Sequence, residues 1–195
     1  MLTLGIGLAM FNGLHVVPAM PALRERLRAA MGVGFYKGAF SVLSAASLVV
    51  IVHGYRAAHG GGVGNVQLWA LPDGLRGVTT ALMLPAFILL AAAYIPSRIR
   101  TVARHPMLAG VALWGLAHLL VRGDLASVLL FGSFLAFAVL DRISAERRAA
   151  KGPLGAAQGG LKGDIAAVVF GLGAFVAMVL WLHGAMTGVA LLPGR

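Results

Sequence analysis

Histidine is the residue type in this sequence that could carry out chemistry in an apolar setting. Four of the six histidines lie within strongly apolar stretches, one opens such a stretch and one is predicted to lie in a loop: His15, His53, His118 and His183, then His105, then His59. Neutral imidazole binds iron well, and haem b with two histidine ligands needs one imidazole on each side of the porphyrin. The same histidines could instead be packed and hydrogen-bonded to neighbouring helices. An iron site and plain packing are therefore the two alternatives for these side chains.

Other chemistries find little support in the sequence. With no cysteine, the chain cannot form a disulfide, an iron–sulfur cluster, thiolate-ligated iron or a c-type haem attachment. The six carboxylates all stand at the ends of apolar stretches or between them: Glu25, Asp73, Asp124, Asp141, Glu146 and Asp164. Since no carboxylate pair is placed in mid-membrane, a proton pump or a two-carboxylate hydrolase is not indicated. The sequence also has no recognisable Ser-His-Asp arrangement.

The elements that position the histidines are predicted to be membrane helices. Of the 195 residues, 59% are hydrophobic and 11% are charged, and the mean hydropathy is +0.90. Such a composition is typical of polytopic membrane proteins. Apolar runs cover residues 2–20, 37–55, 77–95, 106–121, 125–141 and 165–191. Because a span needs about 20 residues, the sequence predicts an all-α bundle of about six transmembrane helices, in which the fourth and fifth are short.

A glycine-rich segment divides this bundle unequally. We predict a membrane domain of five spans at residues 1–148, a cytoplasmic linker at residues 149–163, and the sixth helix with the C-terminus at residues 164–195. The linker prediction rests on the sequence KGPLGAAQGGLK, in which glycine recurs without an apolar period.

The basic residues predict the orientation of the bundle. Twelve Lys and Arg residues follow spans one, three and five: Arg24, Arg26, Arg28, Lys37, Arg98, Arg100, Arg104, Arg142, Arg147, Arg148, Lys151 and Lys162. The opposite side has four: Arg56, Arg76, Arg122 and Arg195. The positive-inside rule then predicts a bacterial inner-membrane protein with both termini outside. The net charge of +10 is explained by these flanks, so the lipid bilayer is the expected partner and nucleic acid is not.

Helical geometry limits which histidines can act together. His105 and His118 are thirteen residues apart, which separates them by about 140° around a helix and roughly 20 Å along it, so they cannot share a metal. His105 precedes Pro106, which predicts that a helix begins at the proline. Arg104 then lies at headgroup level, where its guanidinium could hold a phosphate, a carboxylate or a haem propionate.

Four segments resemble a known family: FNGLHVVPAMPALRERL (11–27), YKGAFSVLSAASLVVIVHGYR (36–56), AAYIPSRIRTVARHPMLAGVALWGLAHLLVRGDLASVLLFG (92–132) and LDRISAERR (140–148). Residues 4–148 resemble the NnrU family, bacterial membrane proteins associated with nitrite and nitric oxide metabolism. That family is related to the plant and cyanobacterial 15-cis-zeta-carotene isomerase. The resemblance implies a six-span membrane protein of the haem b type.

The resemblance also implies the iron ligands. In the isomerase the iron is held by two histidines that match His15 and His118, while His53 and His105 match further histidines of the family. A later histidine of the isomerase is missing, because Phe131, Phe134 and Phe137 occupy that stretch; the departure counts against carotene isomerisation more than against haem binding. The charge-based topology places His15 in the inner half of its span and His118 in the outer half. The resemblance makes His15 with His118 the first pairing, although the two depths differ; because His118 lies at a depth closer to that of His53, the second pairing is His53 with His118.

Two other classes of function remain open. The Arg-His-Pro segment is also similar to that of isoprenylcysteine and phospholipid methyltransferases, in which Arg104, His105 and Gly110 would approach S-adenosylmethionine and residues 142–146 would supply a later acidic motif. Only one acid, Glu146, stands where two are expected. The chain could alternatively be a non-catalytic membrane subunit or assembly factor. A hydrophobic small-molecule substrate, a partner complex and a homo-oligomer are all compatible with the apolar spans.

Overall fold

The computed structural model describes residues 1–61, 64–69, 74–150, 155, 159–189 and 191. Its regular structure is helical, with a single isolated β-bridge in the described part of the chain. The α-helices are α1 (Leu2–Val16), α2 (Pro21–Met31), α3 (Val33–His59), α4 (Leu75–Ala92), α5 (Arg98–Ala103), α6 (Pro106–Leu119), α7 (Leu125–Arg147), α8 (Leu161–Ala177) and α9 (His183–Thr187). A 3-10 turn at Val17–Ala19 extends α1, and a π-helix at Met178–Leu182 joins α8 to α9.

The prediction of an all-α polytopic membrane protein is confirmed. Five helical segments in the described residues are long and apolar enough to cross a membrane: Leu2–Ala19, Val33–His59, Leu75–Ala92, Leu125–Arg147 and Leu161–Thr187. The sixth apolar helix, α6, has 14 residues and spans only about 21 Å. Large apolar side chains face outward along these helices, as lipid-facing surfaces require; Phe170 is 67% exposed.

The helices pack in the order α3, α1, α7, α6, α4 and α8. Leu4, Leu8 and Phe11 of α1 meet Leu130 and Phe131 of α7 in the main buried cluster. Small residues allow the closest contacts, because a Cβ on Gly54 of α3 would clash with the backbone of Leu4. A Cβ on Gly7 would lie 2.8 Å from the backbone nitrogen of Ile51. Close backbone approach of this kind is typical of packing between membrane helices.

The α6–α7 hairpin ends beneath a loop that covers its tip. Its first helix, α6, is short as predicted, but the prediction of a short fifth span is wrong, because α7 continues past the apolar run to Arg147 and has 23 residues. The Leu68 N–H donates to the Gly123 carbonyl at 2.8 Å, and the Leu125 N–H donates to the Val66 carbonyl at 2.9 Å. Gly123 lies directly against Trp69, where a Cβ would not fit. Residues 64–69 therefore supply hydrogen-bond partners to the backbone at the tip of the hairpin.

Several boundaries differ from the sequence-based predictions. Helix α3 extends to His59, so the prediction of a loop histidine there is wrong; the helix continues because Arg56 and Ala57 are compatible with helix past the apolar run. Helix α8 begins at Leu161, three residues before the predicted start. Its Asp164 accepts hydrogen bonds from the backbone N–H groups of Arg98 and Ile99. Seven of the fifteen residues of the predicted linker, 151–154 and 156–158, lie outside the described residues.

Candidate functional site

His15 and His118 both lie in one layer of aromatic rings between α1, α6 and α7. His118 is stacked on Phe131, with ring centroids 4.4 Å apart and planes at 17°. His15 is stacked on Phe11 of its own helix at 3.9 Å and meets Phe137 edge-on at 5.7 Å. Both imidazoles are half-buried. The structure thus brings together the two histidines of the first predicted pairing on one stripe of α7.

Phe134 and Trp114 complete the aromatic layer between the two imidazoles. Phe134 lies 4.8 Å from Phe11 and 5.5 Å from Trp114, measured between ring centroids. Trp114 in turn lies 5.3 Å from His118, the residue one turn later on α6. A chain of ring contacts therefore runs from His15 to His118 by way of Phe134.

Both imidazoles are held in the same tautomer. The Nδ1–H of His15 donates to the Phe11 carbonyl at 2.8 Å, and the Nδ1–H of His118 donates to the Trp114 carbonyl at 2.9 Å. A carbonyl can only accept, so Nδ1 carries the proton in each neutral ring and Nε2 keeps its lone pair. Among the described residues, neither Nε2 has a hydrogen-bond partner. This is the tautomer that a metal-binding imidazole adopts when a backbone carbonyl orients it.

The two imidazoles lie at different heights along α7. Phe131 and Phe137 are six residues apart, which is about 9 Å along a helix, and the histidines contact these two rings respectively. The fold therefore shows the predicted difference in height between the two histidines. One iron shared by both histidines requires a shift of about half this distance, with displacement of the Phe134 ring.

The other candidate residues are not part of this layer. His53 is exposed on α3 and has no hydrogen bond within the described part of the chain, so the second predicted pairing, His53 with His118, is not assembled. His183 begins α9, and its Nδ1–H donates to the Val189 carbonyl at 2.7 Å. His183 follows the π-helix directly, and such distortions occur frequently at functional sites.

Arg104 and His105 form the turn between α5 and α6, and α6 begins at Pro106 as predicted. Arg104 has φ 58° and ψ −53°, and the His105 N–H donates to the Ala103 carbonyl at 2.6 Å. These values define a γ-turn with positive φ, a rare and strained conformation. The Arg104 side chain is exposed, while His105 is half-buried and lines a cavity of about 510 Å³ at this end of the bundle.

A polar network at the opposite end was not foreseen from the sequence. Asp124 caps α7 by accepting the Ser127 N–H at 3.0 Å and the Ser127 hydroxyl at 2.7 Å, and His59 Nε2 lies 3.2 Å from the same carboxylate. Tyr55 shares a hydrogen bond with Ser127. Burial alone would raise the pKa of Asp124, but the hydrogen bonds from Ser127, the neighbouring His59 and Asn65 together lower it.

This network does not form a hydrolytic triad. The carboxylate of Asp124 lies between Ser127 and His59, so the imidazole does not contact the serine hydroxyl. A nucleophilic serine needs the imidazole as its immediate base. The arrangement is therefore a helix cap that joins α3 to α7. The spacing of residues in the sequence could not have revealed this network, because His59 ends α3 and Asp124 precedes α7, far apart along the chain.

Comparison with known proteins identifies the family. The family described as NnrU protein matches residues 3–191. The chain belongs to the NnrU family. The match continues through α8 and α9, well beyond residue 148, where the resemblance seen in the sequence ends. No curated protein and no solved structure matches the chain.

The donor set of this NnrU protein fits haem iron in its chemistry. Two neutral imidazoles offer Nε2 from separate helices, and the surrounding layer is aromatic and apolar. Asn12, one turn before His15, also has a buried Oδ1 without a partner among the described residues. A third metal-ligating side chain does not join either histidine in the described chain, so a compact tetrahedral site of the zinc type is not formed.

The methyltransferase alternative gains less from the fold. His105 faces the cavity near the Arg-His-Pro turn, but Gly110 is buried against Ala86 and Leu90 of α4 and does not line that cavity. Glu146 pairs with Arg142 at 3.3 Å on an exposed face of α7. His105 therefore lines the cavity, whereas Gly110 and Glu146 do not.

Proposed function

We propose that this NnrU-family protein binds haem b in the aromatic layer, with His118 and His15 as its iron ligands. One observation carries the proposal: each Nδ1–H is taken by a carbonyl of its own helix, and each Nε2 is unpartnered among the described residues. Each imidazole is thus oriented by its own helix and has Nε2 available for a metal. The two helices, α1 and α6, contact one phenylalanine stripe, so they could supply one iron ligand each.

The protein side chains would hold and orient such a cofactor. The Trp114 and Phe11 carbonyls fix the tautomers of the two ligands, and the stacked rings of Phe131 and Phe11 limit rotation of the imidazoles. Phe134 lies between the two imidazoles, so its side chain would control whether both of them can reach the same iron. When bound, haem iron would supply a redox-active Lewis acid in a site that excludes water.

Two roles in the cell follow from the resemblance, a function in nitrogen-oxide metabolism and the redox-dependent cis–trans isomerisation of a polyene such as a carotenoid. The apolar lining of the layer supports a hydrophobic substrate in the second case. We further propose the bacterial inner membrane with both termini outside, because the loops after spans one, three and five hold most of the Lys and Arg residues.

The test is an absorption spectrum of the detergent-purified protein, oxidised and then reduced with dithionite. The variants are His15→Ala, His118→Ala and His183→Ala, with His53→Ala as the matched control on an exposed face of α3. We expect a sharp Soret band with split reduced bands in the wild type and the control. His118→Ala should lose haem, and His15→Ala should lose the six-coordinate spectrum.

Other outcomes would redirect the proposal. Loss of the six-coordinate spectrum in His183→Ala and its retention in His15→Ala would assign the second ligand to α9. A wild type that stays colourless after expression with a haem precursor would contradict haem binding altogether. Binding of S-adenosylmethionine, or capture of a membrane partner complex, would then decide between the remaining classes of function.

A further inference from the structure

A cavity of about 510 Å³ opens at the end of the bundle that carries the basic loops. Four cationic side chains from four different segments line it, together with one histidine and, among the described residues, one carboxylate: Arg24, Lys37, Arg100, Arg148, His105 and Asp141. Loops that follow spans one, three and five thus contribute to a single cavity. Converging charges of one sign in a cleft create a strong attraction for the opposite charge.

Arg148 and Arg100 build the walls of this cavity. Arg148 donates to the Pro18 carbonyl at 3.2 Å and to Asp141 at 3.4 Å, which ties the end of α7 to the end of α1. Arg100 donates to the Gly155 carbonyl at 2.8 Å and is buried. The single carboxylate is therefore already engaged by Arg148 and does not balance the other cations.

Arg24 and Lys37 are the cations left to bind a ligand. Both are exposed, and neither side chain has an ion pair or a hydrogen bond with any residue that the structure describes. They come from α2 and α3, two helices that contact each other at the mouth of the cavity. Two unpaired cations that converge on a cleft provide the charge and the donors that a phosphate group requires.

The surroundings of the cavity favour a lipid as the source of the phosphate. Phe40, Met107 and Leu108 give the cavity apolar walls, and Phe35 on α3 is 67% exposed beside Lys37. Helix α2 is too short to span the bilayer and combines cations with exposed Leu23, as interfacial helices do. We propose that this cavity binds the phosphate of an anionic phospholipid from the leaflet at the basic end of the bundle.

The test titrates the purified full-length protein in a neutral detergent and counts bound lipid by native mass spectrometry. The probes are phosphatidylglycerol, phosphatidylcholine with the same acyl chains, and inorganic phosphate as a competitor. Arg24→Gln and Lys37→Gln should each weaken phosphatidylglycerol binding about fivefold, and the double variant about 25-fold. Arg26→Gln removes the same charge from the same helix but does not line the cavity, so it should bind like the wild type.

Each contrary outcome overturns a defined part of the proposal. Equal binding of phosphatidylglycerol and phosphatidylcholine would show that the cations do not select an anionic headgroup. An Arg26→Gln variant as weak as Arg24→Gln would show general surface attraction in place of a site. Displacement of the lipid by inorganic phosphate at equal concentration would assign the cavity to a soluble phosphate ligand. Unchanged melting temperatures of the variants would confirm that they are folded.

Discussion

His15 and His118 contact the same stripe of phenylalanines on α7, but at rings that are six residues apart. His118 lies flat on Phe131, His15 meets the edge of Phe137, and Phe134 stands between them. Two ligands of one iron bind with their nitrogens about 4 Å apart, taking each iron–nitrogen bond as like other metal–imidazole bonds. Phe134 is therefore the side chain that a haem shared by the two histidines must displace.

Truncation of Phe134 tests this relationship. Phe134→Ala should raise the haem content of the purified protein, because the ring that separates the ligands is removed. It should also lower the melting temperature of the haem-free protein, since a Phe-to-Ala change in a packed layer costs about 3–5 kcal/mol. Haem per folded protein, measured after size-exclusion chromatography, checks the first effect.

A matched control accompanies Phe134→Ala. Phe170→Ala removes the same ring from a lipid-facing position and should change neither haem content nor melting temperature appreciably. A Phe134→Ala protein that is folded yet carries less haem than the wild type would contradict the displacement argument. It would show that Phe134 forms a wall of the haem pocket.

Gly54 determines how closely α1 approaches α3. A Cβ at this position would clash with the Leu4 backbone, so Gly54→Ala must push the two helices apart. We expect a loss of about 1–3 kcal/mol, the usual cost of overpacking, seen as a lower melting temperature in detergent. Gly38→Ala on the same helix, where a Cβ meets nothing within 4 Å, should not lower it. Equal melting temperatures for both variants would refute the close-packing account.

Much of the fold could be predicted from the sequence because membrane helices have a strong local signal. All six apolar runs form helices, five of them long enough to span a membrane, and the helix start at Pro106 is confirmed, since hydropathy and proline chemistry act within a few residues. Helices α2 and α5 were not predicted. They are too short and too polar for a hydropathy signal, and they form where the chain turns at the surface of the bilayer.

The candidate site depends on contacts that no local pattern contains. The spacing of Phe131, Phe134 and Phe137 indicates one face of a helix, but not which histidines meet that face. The contact of His59 with Asp124 joins residues from two helices and depends on how the covering loop folds. The basic cavity likewise combines α2, α3, α5 and the end of α7, whose convergence is a property of the tertiary structure.

The lowered pKa of Asp124 predicts a pH-dependent contribution to stability. A carboxyl whose pKa is lower in the folded state stabilises the fold above its unfolded pKa of about 3.9, and that contribution disappears as the pH falls through the folded pKa. Asp124→Asn keeps an oxygen that can cap α7 but removes the charge. Its melting temperature should therefore lie below that of the wild type at pH 7.

The gap between Asp124→Asn and the wild type should begin to narrow as the pH falls below the unfolded pKa of about 3.9, and it should close once the pH has fallen through the lower folded pKa, where the wild-type carboxyl is also neutral. Glu25→Gln serves as the control, because Glu25 is an exposed carboxylate that pairs with Arg28 across one turn, and such pairs contribute little. A gap for Asp124→Asn that is unchanged from pH 7 to the acid range would show that its charge plays no part.

At the γ-turn of Arg104, we expect glycine to stabilise the folded protein more than alanine does, which is the reverse of their order in a helix. In a helix, glycine is less stable than alanine by about 1 kcal/mol, but a positive φ favours glycine. Arg104→Gly should therefore melt above Arg104→Ala, whereas Arg26→Gly in the middle of α2 should melt below Arg26→Ala. Thermal unfolding of the four variants in one detergent makes the comparison. The same ranking at both positions would contradict a strained turn at Arg104.

The absence of cysteine allows a direct test of orientation. Glu25→Cys lies in α2 at the basic end and Val66→Cys in the loop at the opposite end, and both positions are exposed. With the basic loops in the cytoplasm, a membrane-impermeant maleimide added to cells with a permeabilised outer membrane should label Val66→Cys alone. Glu25→Cys should react only after the inner membrane is disrupted. The opposite labelling pattern would place both termini in the cytoplasm, and the cavity of Arg24 and Lys37 would then face the outer leaflet.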